Sequence, residues 1–290
     1  MKKNHYFILA ALTLIGSYFF MSCKKSEKFP TPTIMLSSNP LVDQYLVDQD
    51  GNSLYYFAND ANGISNCTGG CAIVWPAFYT DLSKLVLSDN LAASDFTTIT
   101  NTDGSKQTAY KGWPLYYHAP STGSANVREK AGELTGQGVG NIWFVAKPNY
   151  TIMIANFQLT GANGKLYKSD LTEGVGRTAY FTDGQGRTLY SFGPDSAYKN
   201  KFTRADFSNN SVWPIFETSP NVTITVPSFL DASLFETTNV FGRTQMTYKG
   251  WPLYYFGQDA GIRGANKGVS VPAPGVWPVV VKTAPLAPRR

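Results

Sequence analysis

Residues 110–117 read YKGWPLYY, and the same eight residues return unbroken at 248–255. The interval is much longer than the period of a small solenoid repeat and matches a duplicated block of domain size. Two copies of one plan therefore account for most of the chain. The first copy is predicted to span residues 41–149, and residues 150–290 are predicted to hold a connecting hairpin followed by the second copy.

Each copy is predicted to contain two related β-hairpins, which makes four hairpin units. An Asp-Gly pair at 50–51 divides two aromatic runs, which is a strong hairpin signal, and residues 179–192 repeat the arrangement. Asp103-Gly104 and Phe241-Gly242 are predicted turns before the two octapeptides. Frequent Gly and Pro with abundant Tyr, Phe and Thr predict an all-β protein with antiparallel sheets. A small propeller-like ring of four units is the alternative arrangement.

Three of the four units end in the pattern Tyr-x-Phe-x-x-Asp. The motif residues are Tyr55, Phe57 and Asp60 in the first unit, Tyr190, Phe192 and Asp195 in the third, and Tyr254, Phe256 and Asp259 in the fourth. The second unit has His118 and Ser121 after Tyr116. Side chains two apart on a strand share a face, so each Tyr and Phe is predicted to enter the core. The Asp at the strand end is predicted to accept backbone N–H groups and hold a turn.

The Trp-Pro pairs at Trp113 and Trp251 are also predicted to be mainly structural. Proline keeps the preceding tryptophan extended, and the large ring then caps an apolar layer. The second tyrosine of each motif points away from the predicted core. Tyr56, Tyr117 and Tyr255 are therefore the predicted contact residues for a ligand or partner.

The N-terminus is predicted to be a lipoprotein signal peptide over residues 1–22. A basic start is followed by an apolar run from Tyr6 to Met21, which is short for a bilayer span of about 20 residues. Cys23 directly follows the small residue Ser22, and this resembles a lipobox, although Phe20 stands where leucine is commonest. An ordinary secretory signal is the alternative. Lipidation at Cys23, with residues 23–40 as anchor and tether, predicts an envelope location, at the outer membrane if the cell is Gram-negative.

Cys67 and Cys71 flank Thr68-Gly69-Gly70 and are predicted to form a disulfide, because disulfides persist outside the cytoplasm. A redox dithiol or half of a metal site is the functional alternative. A metal site needs further ligands, and His118 aligns with Phe256, so it is interpreted as filling an aromatic position. No metal and no other cofactor is predicted.

Together, the motif, the Trp-Pro pairs and the lipobox resemble a family of bacterial secreted and lipid-anchored repeat proteins. That family is defined by a Tyr-x-(Phe/Trp/Tyr)-x-x-Asp motif, and the resemblance covers residues 45–282. It implies an extracytoplasmic repeat protein. It brings no catalytic residue to this chain, because the family's activity is not established.

Composition and spacing exclude several functions. The formal net charge of +5 on 290 residues is mild and no basic face is indicated, so nucleic-acid binding is not expected. The motif aspartates occur once per unit rather than as a converging pair, so no enzyme is predicted. The expected function is a membrane-anchored module that binds or scaffolds an envelope protein or glycan. The alternative is an envelope redox or metal-handling protein that uses Cys67 and Cys71.

Overall fold

Short strands joined by turns form the regular structure of residues 31–120 and 127–289, which are the residues that this computed structural model describes. The strands are β1 (Ile34–Asn39), β2 (Asp43–Asp48), β3 (Tyr55–Phe57), β4 (Phe96–Thr100), β5 (Lys106–Tyr110), β6 (Trp113–Tyr116), β7 (Trp143–Val145), β8 (Ile152–Thr160), β9 (Leu166–Tyr167), β10 (Arg177–Asp183), β11 (Phe235–Val240), β12 (Arg243–Tyr248) and β13 (Trp251–Pro252). One α-helix, α1, covers Gly70–Val74, and 3₁₀ turns cover Ala58–Asp60, Leu82–Lys84, Ala93–Asp95, Val139–Asn141, Ala232–Leu234, Gly257–Asp259 and Lys267–Ser270. The all-β prediction is confirmed.

The two copies share one order of strands. In the first copy the antiparallel sheet runs β4-β5-β6-β3-β7, so β3 lies between β6 and β7. In the second copy β11, β12 and β13 pair in the same way. Tyr190 then bridges to Tyr254 on one side and to Val279 on the other, as Tyr55 pairs with Tyr116 and Val145. Pairing around the motif tyrosine is therefore the common centre of each copy.

The repeated octapeptide is itself a tight hairpin. Tyr110 pairs with Trp113 across Lys111 and Gly112, whose φ angles are 47° and 77°. The second octapeptide repeats this with φ angles of 51° and 83° at its Lys-Gly pair. Two successive positive φ angles are typical of the type I′ turn, which suits the twist of a two-residue hairpin. Sequence reasoning placed turns only before the octapeptides and missed the turn inside them, because lysine is not a usual residue at positive φ.

The first copy begins earlier than predicted. Strand β1 pairs with β2 so that Ile34 faces Asp48, and β8 pairs with β10 so that Ile152 faces Asp183. β1 is therefore the counterpart of β8, which lies in the predicted connecting hairpin. Residues 34–39 belong to the fold, so the predicted tether over 23–40 extends too far. The predicted signal peptide and Cys23 lie outside the described residues.

The largest hydrophobic cluster includes residues from both copies. Tyr56, Trp113 and Phe144 of the first copy belong to the same buried cluster as Ile154 and Met153 on β8. Two smaller clusters lie within the first copy. The copies therefore pack through apolar side chains, and Thr31–Arg290 form one compact unit. Within the described ranges, no helix is long and apolar enough to cross a membrane.

Candidate functional site

The motif residues of paired units exchange hydrogen bonds. The Tyr254 hydroxyl of the fourth unit donates to Asp195 Oδ2 of the third unit at 2.7 Å. In return, the Tyr190 hydroxyl of the third unit donates to Asp259 Oδ2 of the fourth unit at 2.7 Å. All four residues are buried. Tyrosine and aspartate of one motif therefore do not bond each other but join their unit to its partner.

The first copy makes the same exchange with one substituted member. The Tyr116 hydroxyl donates to Asp60 Oδ2 at 2.6 Å. The reciprocal acid would stand at residue 121, which is Ser121 and lies outside the described residues. Its role is taken by Glu129, whose Oε1 accepts the Tyr55 hydroxyl at 2.6 Å. Sequence reasoning missed Glu129 because it lies eight positions beyond the motif.

The second oxygen of each acid holds a loop. Asp60 Oδ1 accepts the Asn66 N–H, Asp195 Oδ1 accepts the Lys201 N–H, and Asp259 Oδ1 accepts the Lys267 N–H. Burial raises the pKa of Asp60 to about 7 and that of Asp195 to about 6, and it also raises the pKa of Asp259. These perturbed carboxyls are explained by desolvation in a framework whose carboxyl oxygens already have partners.

Glu129 differs in its electrostatics. Burial alone would raise its pKa, but hydrogen bonding to His118, Thr135 and Tyr55 outweighs burial and lowers the pKa below its usual value. The His118 ring lies 3.5 Å from Glu129 Oε2, and its Nδ1 lies 2.9 Å from the Thr135 hydroxyl. The histidine that replaced an aromatic residue is therefore tied to the glutamate that replaced an aspartate.

Each copy also contains a stack of four aromatic rings. In the first copy Trp143 stacks on Phe57 at 3.9 Å and on Trp75 at 3.8 Å, and Trp75 in turn contacts His118 at 4.4 Å. The second copy repeats the stack with Phe192, Trp277, Trp213 and Phe256. His118 occupies the position of Phe256, as its alignment suggested. Trp113 is not part of a stack but is buried against the Tyr56 ring. Trp251 is half-buried.

A glycine lies against each stack. A Cβ atom at Gly136 would fall 2.8 Å from Trp75 Cη2 and 2.9 Å from Tyr55 Cζ. A Cβ atom at Gly268 would fall 2.7 Å from Trp213 Cη2 and 2.8 Å from a Tyr190 ring carbon. Distances this short leave no room for any side chain. Close packing against aromatic rings thus explains the glycine at both positions.

Cys67 and Cys71 form a disulfide that closes the loop leading into α1. Cys67 is buried beside Trp75, and the second copy has the same tryptophan position without cysteines. In the part of the chain that the structure describes, no three His, Cys, Asp or Glu side chains lie close enough together to hold a metal ion. The disulfide thus braces a loop against the aromatic stack.

The prediction that the contact tyrosines are exposed is wrong for two of the three. Tyr56 does point away from Tyr55, but that face of the strand is covered by the second copy and the residue is 0% exposed. Tyr117 is 7% exposed because both faces of the first-copy sheet are covered. Tyr255 is half-buried. The opposite face of a strand is open to solvent only where nothing packs on it, and the sequence did not show what packs there.

Tyr117 and Tyr255 each line a surface cleft. The Tyr117 hydroxyl donates to Asp48 Oδ2 at 2.9 Å, and the Arg128 guanidinium lies 3.6 Å from its ring centre. In the second copy the Tyr255 hydroxyl donates to Asp183 Oδ2 at 3.0 Å, and the Arg187 guanidinium lies 4.4 Å from that ring. Asp48 and Asp183 also hold the first turn of their copies through backbone N–H groups. An aspartate and a tyrosine thus recur at equivalent positions, and an arginine from a different segment in each copy lies against the tyrosine ring.

The cleft at Tyr117, here called the first-copy cleft, is the more polar of the two. It has a volume of about 310 Å³, and its lining includes Gln49, Asp50, Tyr79, Thr80, Tyr117 and Arg128. Tyr79 is 45% exposed. The cleft at Tyr255 has a volume of about 240 Å³ and is lined partly by Gly257, Ala260, Gly261 and Ile262. The first-copy cleft is therefore the candidate functional site, since a ligand site needs a concave surface with a few placed polar groups.

Comparison with protein families supports the repeat assignment. Residues 44–78, 97–122 and 237–281 match the model of a family described as a secreted repeat of unknown function. These segments contain the first, second and fourth units. These three segments of the chain are similar to this secreted repeat. Neither the curated proteins nor the solved structures gave a match.

The third unit has the same hydrogen-bonded arrangement although it lies outside the matched segments. Tyr190 and Asp195 lie outside the matched segments, yet they exchange hydrogen bonds with the fourth unit as the first unit does with the second. The family match fits a location outside the cytoplasm. It assigns no residue to an activity, so the candidate site depends on the clefts and their chemistry.

Proposed function

We propose that this secreted-repeat protein is a lipid-anchored binding module of the cell envelope, and that the first-copy cleft receives a polar ligand such as an envelope glycan. Lipidation of Cys23 would hold the chain at a membrane surface, and the segment before residue 34 would separate the repeat from the bilayer. The similarity to a secreted repeat supports this arrangement.

The observation that carries the proposal is the first-copy cleft. Asp50 brings a carboxylate and Arg128 brings a guanidinium to its walls, while Gln49 and Thr80 offer groups that both donate and accept. The exposed ring of Tyr79 adds an apolar face. Sugars present hydroxyl groups beside apolar C–H faces, and this combination of side chains is complementary to both.

The separation between buried framework residues and exposed cleft residues supports binding at the first-copy cleft. The motif residues hold units together, and the stacked tryptophans are buried, so they offer no open ring to a ligand. Gln49, Asp50, Tyr79 and Arg128 are exposed and lie outside the motif. Binding residues commonly lie on loops that a rigid scaffold positions.

Binding without catalysis is proposed because the perturbed acids are engaged elsewhere. Both oxygens of Asp60, Asp195 and Asp259 accept hydrogen bonds from tyrosine and from backbone N–H groups. A general acid or base needs an oxygen within reach of the substrate. In the first-copy cleft, Asp48 is bound to its own turn and to Tyr117.

The test is capture of a soluble envelope polysaccharide or peptidoglycan fragment by immobilised protein that begins at Thr31. Tyr79→Ala and Arg128→Ala should each reduce capture at least tenfold. Tyr198→Ala is the matched control, since Tyr198 is 46% exposed in the second copy and should leave capture unchanged. Capture that Tyr198→Ala reduces as much as Tyr79→Ala, or the absence of capture by the wild type, would contradict the proposal.

A further inference from the structure

The C-terminal segment 283–289, here called the tail, lies along the second octapeptide hairpin. Lys249 Nζ donates to the Ala284 carbonyl at 2.8 Å, and Trp251 Nε1 donates to the Pro285 carbonyl at 2.9 Å. The Ala287 N–H donates to the Lys249 carbonyl at 2.9 Å. The Ala197 N–H donates to the Pro288 carbonyl, also at 2.9 Å. Three of these four hydrogen bonds are thus accepted by carbonyl groups of the tail.

This mode of recognition suits a proline-rich segment. Proline has no N–H to donate, but its carbonyl remains an acceptor and its ring favours an extended chain. The one tail N–H in these contacts belongs to Ala287, which is 6% exposed. Its Cβ would lie 3.3 Å from a Cβ at Gly250, so a small residue on the tail meets a glycine on the hairpin. Leu286 beside it is 74% exposed and takes no part.

The equivalent surface of the first copy has a different occupant. Arg263 of the second copy donates from Nη1 to the Lys111 carbonyl at 2.7 Å, where the Ala287 N–H reaches Lys249 in the second copy. Its guanidinium lies 4.6 Å from the Trp113 ring, and a Cβ at Gly112 would fall 2.9 Å from Arg263 Nη1. The Lys-Gly-Trp turn is therefore a docking point in both copies.

Arg263 and the tail differ in how readily they can dissociate from their hairpins. Arg263 is held between the copies and also donates to the Gln185 carbonyl at 2.6 Å. The tail is held by a few hydrogen bonds and one buried methyl group, and a segment with so few buried contacts opens locally more readily than a core segment. Release of the tail would expose Lys249, Gly250 and Trp251 together.

We propose that the Lys249–Trp251 hairpin is a peptide-binding surface, that the chain's own tail occupies it in cis, and that the tail of a second copy of the chain is its partner in trans. The chemistry that it recognises is an extended segment with carbonyls for Lys249 and Trp251 and a small side chain over Gly250. Exchange of an identical segment is a low-cost route by which two copies associate. The intact tail normally prevents the exchange, because a linked segment competes at high effective concentration.

The test uses full chains and a labelled peptide of residues 283–289. Ala287→Arg places a long side chain against Gly250 and should eject the tail, so this chain should bind the peptide saturably in fluorescence anisotropy. Leu286→Arg is the matched control, because it changes an exposed neighbour, keeps the tail seated and should not bind. Adding Trp251→Phe to the Ala287→Arg chain should weaken binding about tenfold through loss of one hydrogen bond. Circular dichroism checks folding, and Ala287→Val serves as the acceptor if the arginine variant does not fold.

The peptide provides a second control. A peptide that itself carries Ala287→Arg should not bind, whereas one with Leu286→Arg should bind as the wild type does. Absence of binding to the folded acceptor would overturn the proposal. Equal binding by the Leu286→Arg chain, or by a scrambled peptide of the same composition, would also overturn it, because the surface would then not be specific for the tail.

Discussion

Replacing Asp60 by asparagine should remove a large part of the pH dependence of the protein's stability. The carboxyl is 0% exposed, and burial raises its pKa to about 7. In the unfolded chain the pKa returns to about 3.9. The folded state therefore holds a proton that the unfolded state has lost. The resulting stabilisation is fully present below about pH 4 and is lost as the pH rises through about 7.

The size of the effect follows from these two pKa values. Between pH 5 and pH 8 the Asp60 contribution falls by roughly 2–3 kcal/mol in the free energy of unfolding, since one pKa unit corresponds to about 1.4 kcal/mol. Asparagine preserves the contacts without titrating. Its oxygen can accept the Asn66 N–H, and its amide can donate to the Tyr116 oxygen, whose own hydroxyl lies 2.8 Å from Ser65 Oγ.

The assay is urea unfolding of the chain from Thr31, followed by tryptophan fluorescence at several pH values from 5 to 8. Asp60→Asn should flatten the curve by the amount given above and should be no less stable than the wild type at pH 8. Asp195→Asn should remove roughly half as much, because the pKa of Asp195 is raised only to about 6. An unchanged slope in Asp60→Asn would refute the assignment of a buried, proton-retaining carboxyl.

Three further predictions concern packing, oxidation and anchoring. Gly136→Ala and Gly268→Ala should each lower the free energy of unfolding by about 1–3 kcal/mol, because a methyl group meets rigid rings. Gly70→Ala, with no atom within 4 Å of the added Cβ, is the control and should be neutral or slightly stabilising in the same denaturant assay. Titration of the native chain from Thr31 with a thiol reagent should find no free thiol before reduction and two after it; a free thiol before reduction would contradict the disulfide. Cys23→Ser should abolish fatty-acid labelling and move the protein from the membrane to the soluble fraction, whereas labelling that persists would exclude Cys23 as the anchor.

Local patterns predicted the framework well. Alternation around Tyr55 and Phe57 correctly indicated strands, and the duplicated octapeptide correctly indicated two copies with a common plan. These inferences succeeded because strand periodicity and turn residues act over a few positions. The interpretation that His118 fills an aromatic position came from its alignment with Phe256, and its ring lies in the equivalent stack.

Long-range pairings were outside the reach of these patterns. Nothing near Tyr254 in the sequence indicates that its partner is Asp195 rather than Asp259, because the choice depends on how two units pack. The pairing of Glu129 with Tyr55 could not be predicted for the same reason. The exposure predicted for Tyr56 failed because a strand pattern distinguishes two faces but does not say which face another copy covers.

The most direct test of the account is a double-mutant cycle on the exchanged pair. Tyr254→Phe and Asp195→Ala, measured singly and together by urea unfolding at pH 7, should show a coupling of roughly 1–3 kcal/mol, because each variant removes the same buried hydrogen bond. Tyr254→Phe combined with Asp259→Ala pairs two residues of one motif that do not bond each other, and these effects should add. Strong coupling within the motif and none between Tyr254 and Asp195 would contradict the claim that the repeat signature joins neighbouring units.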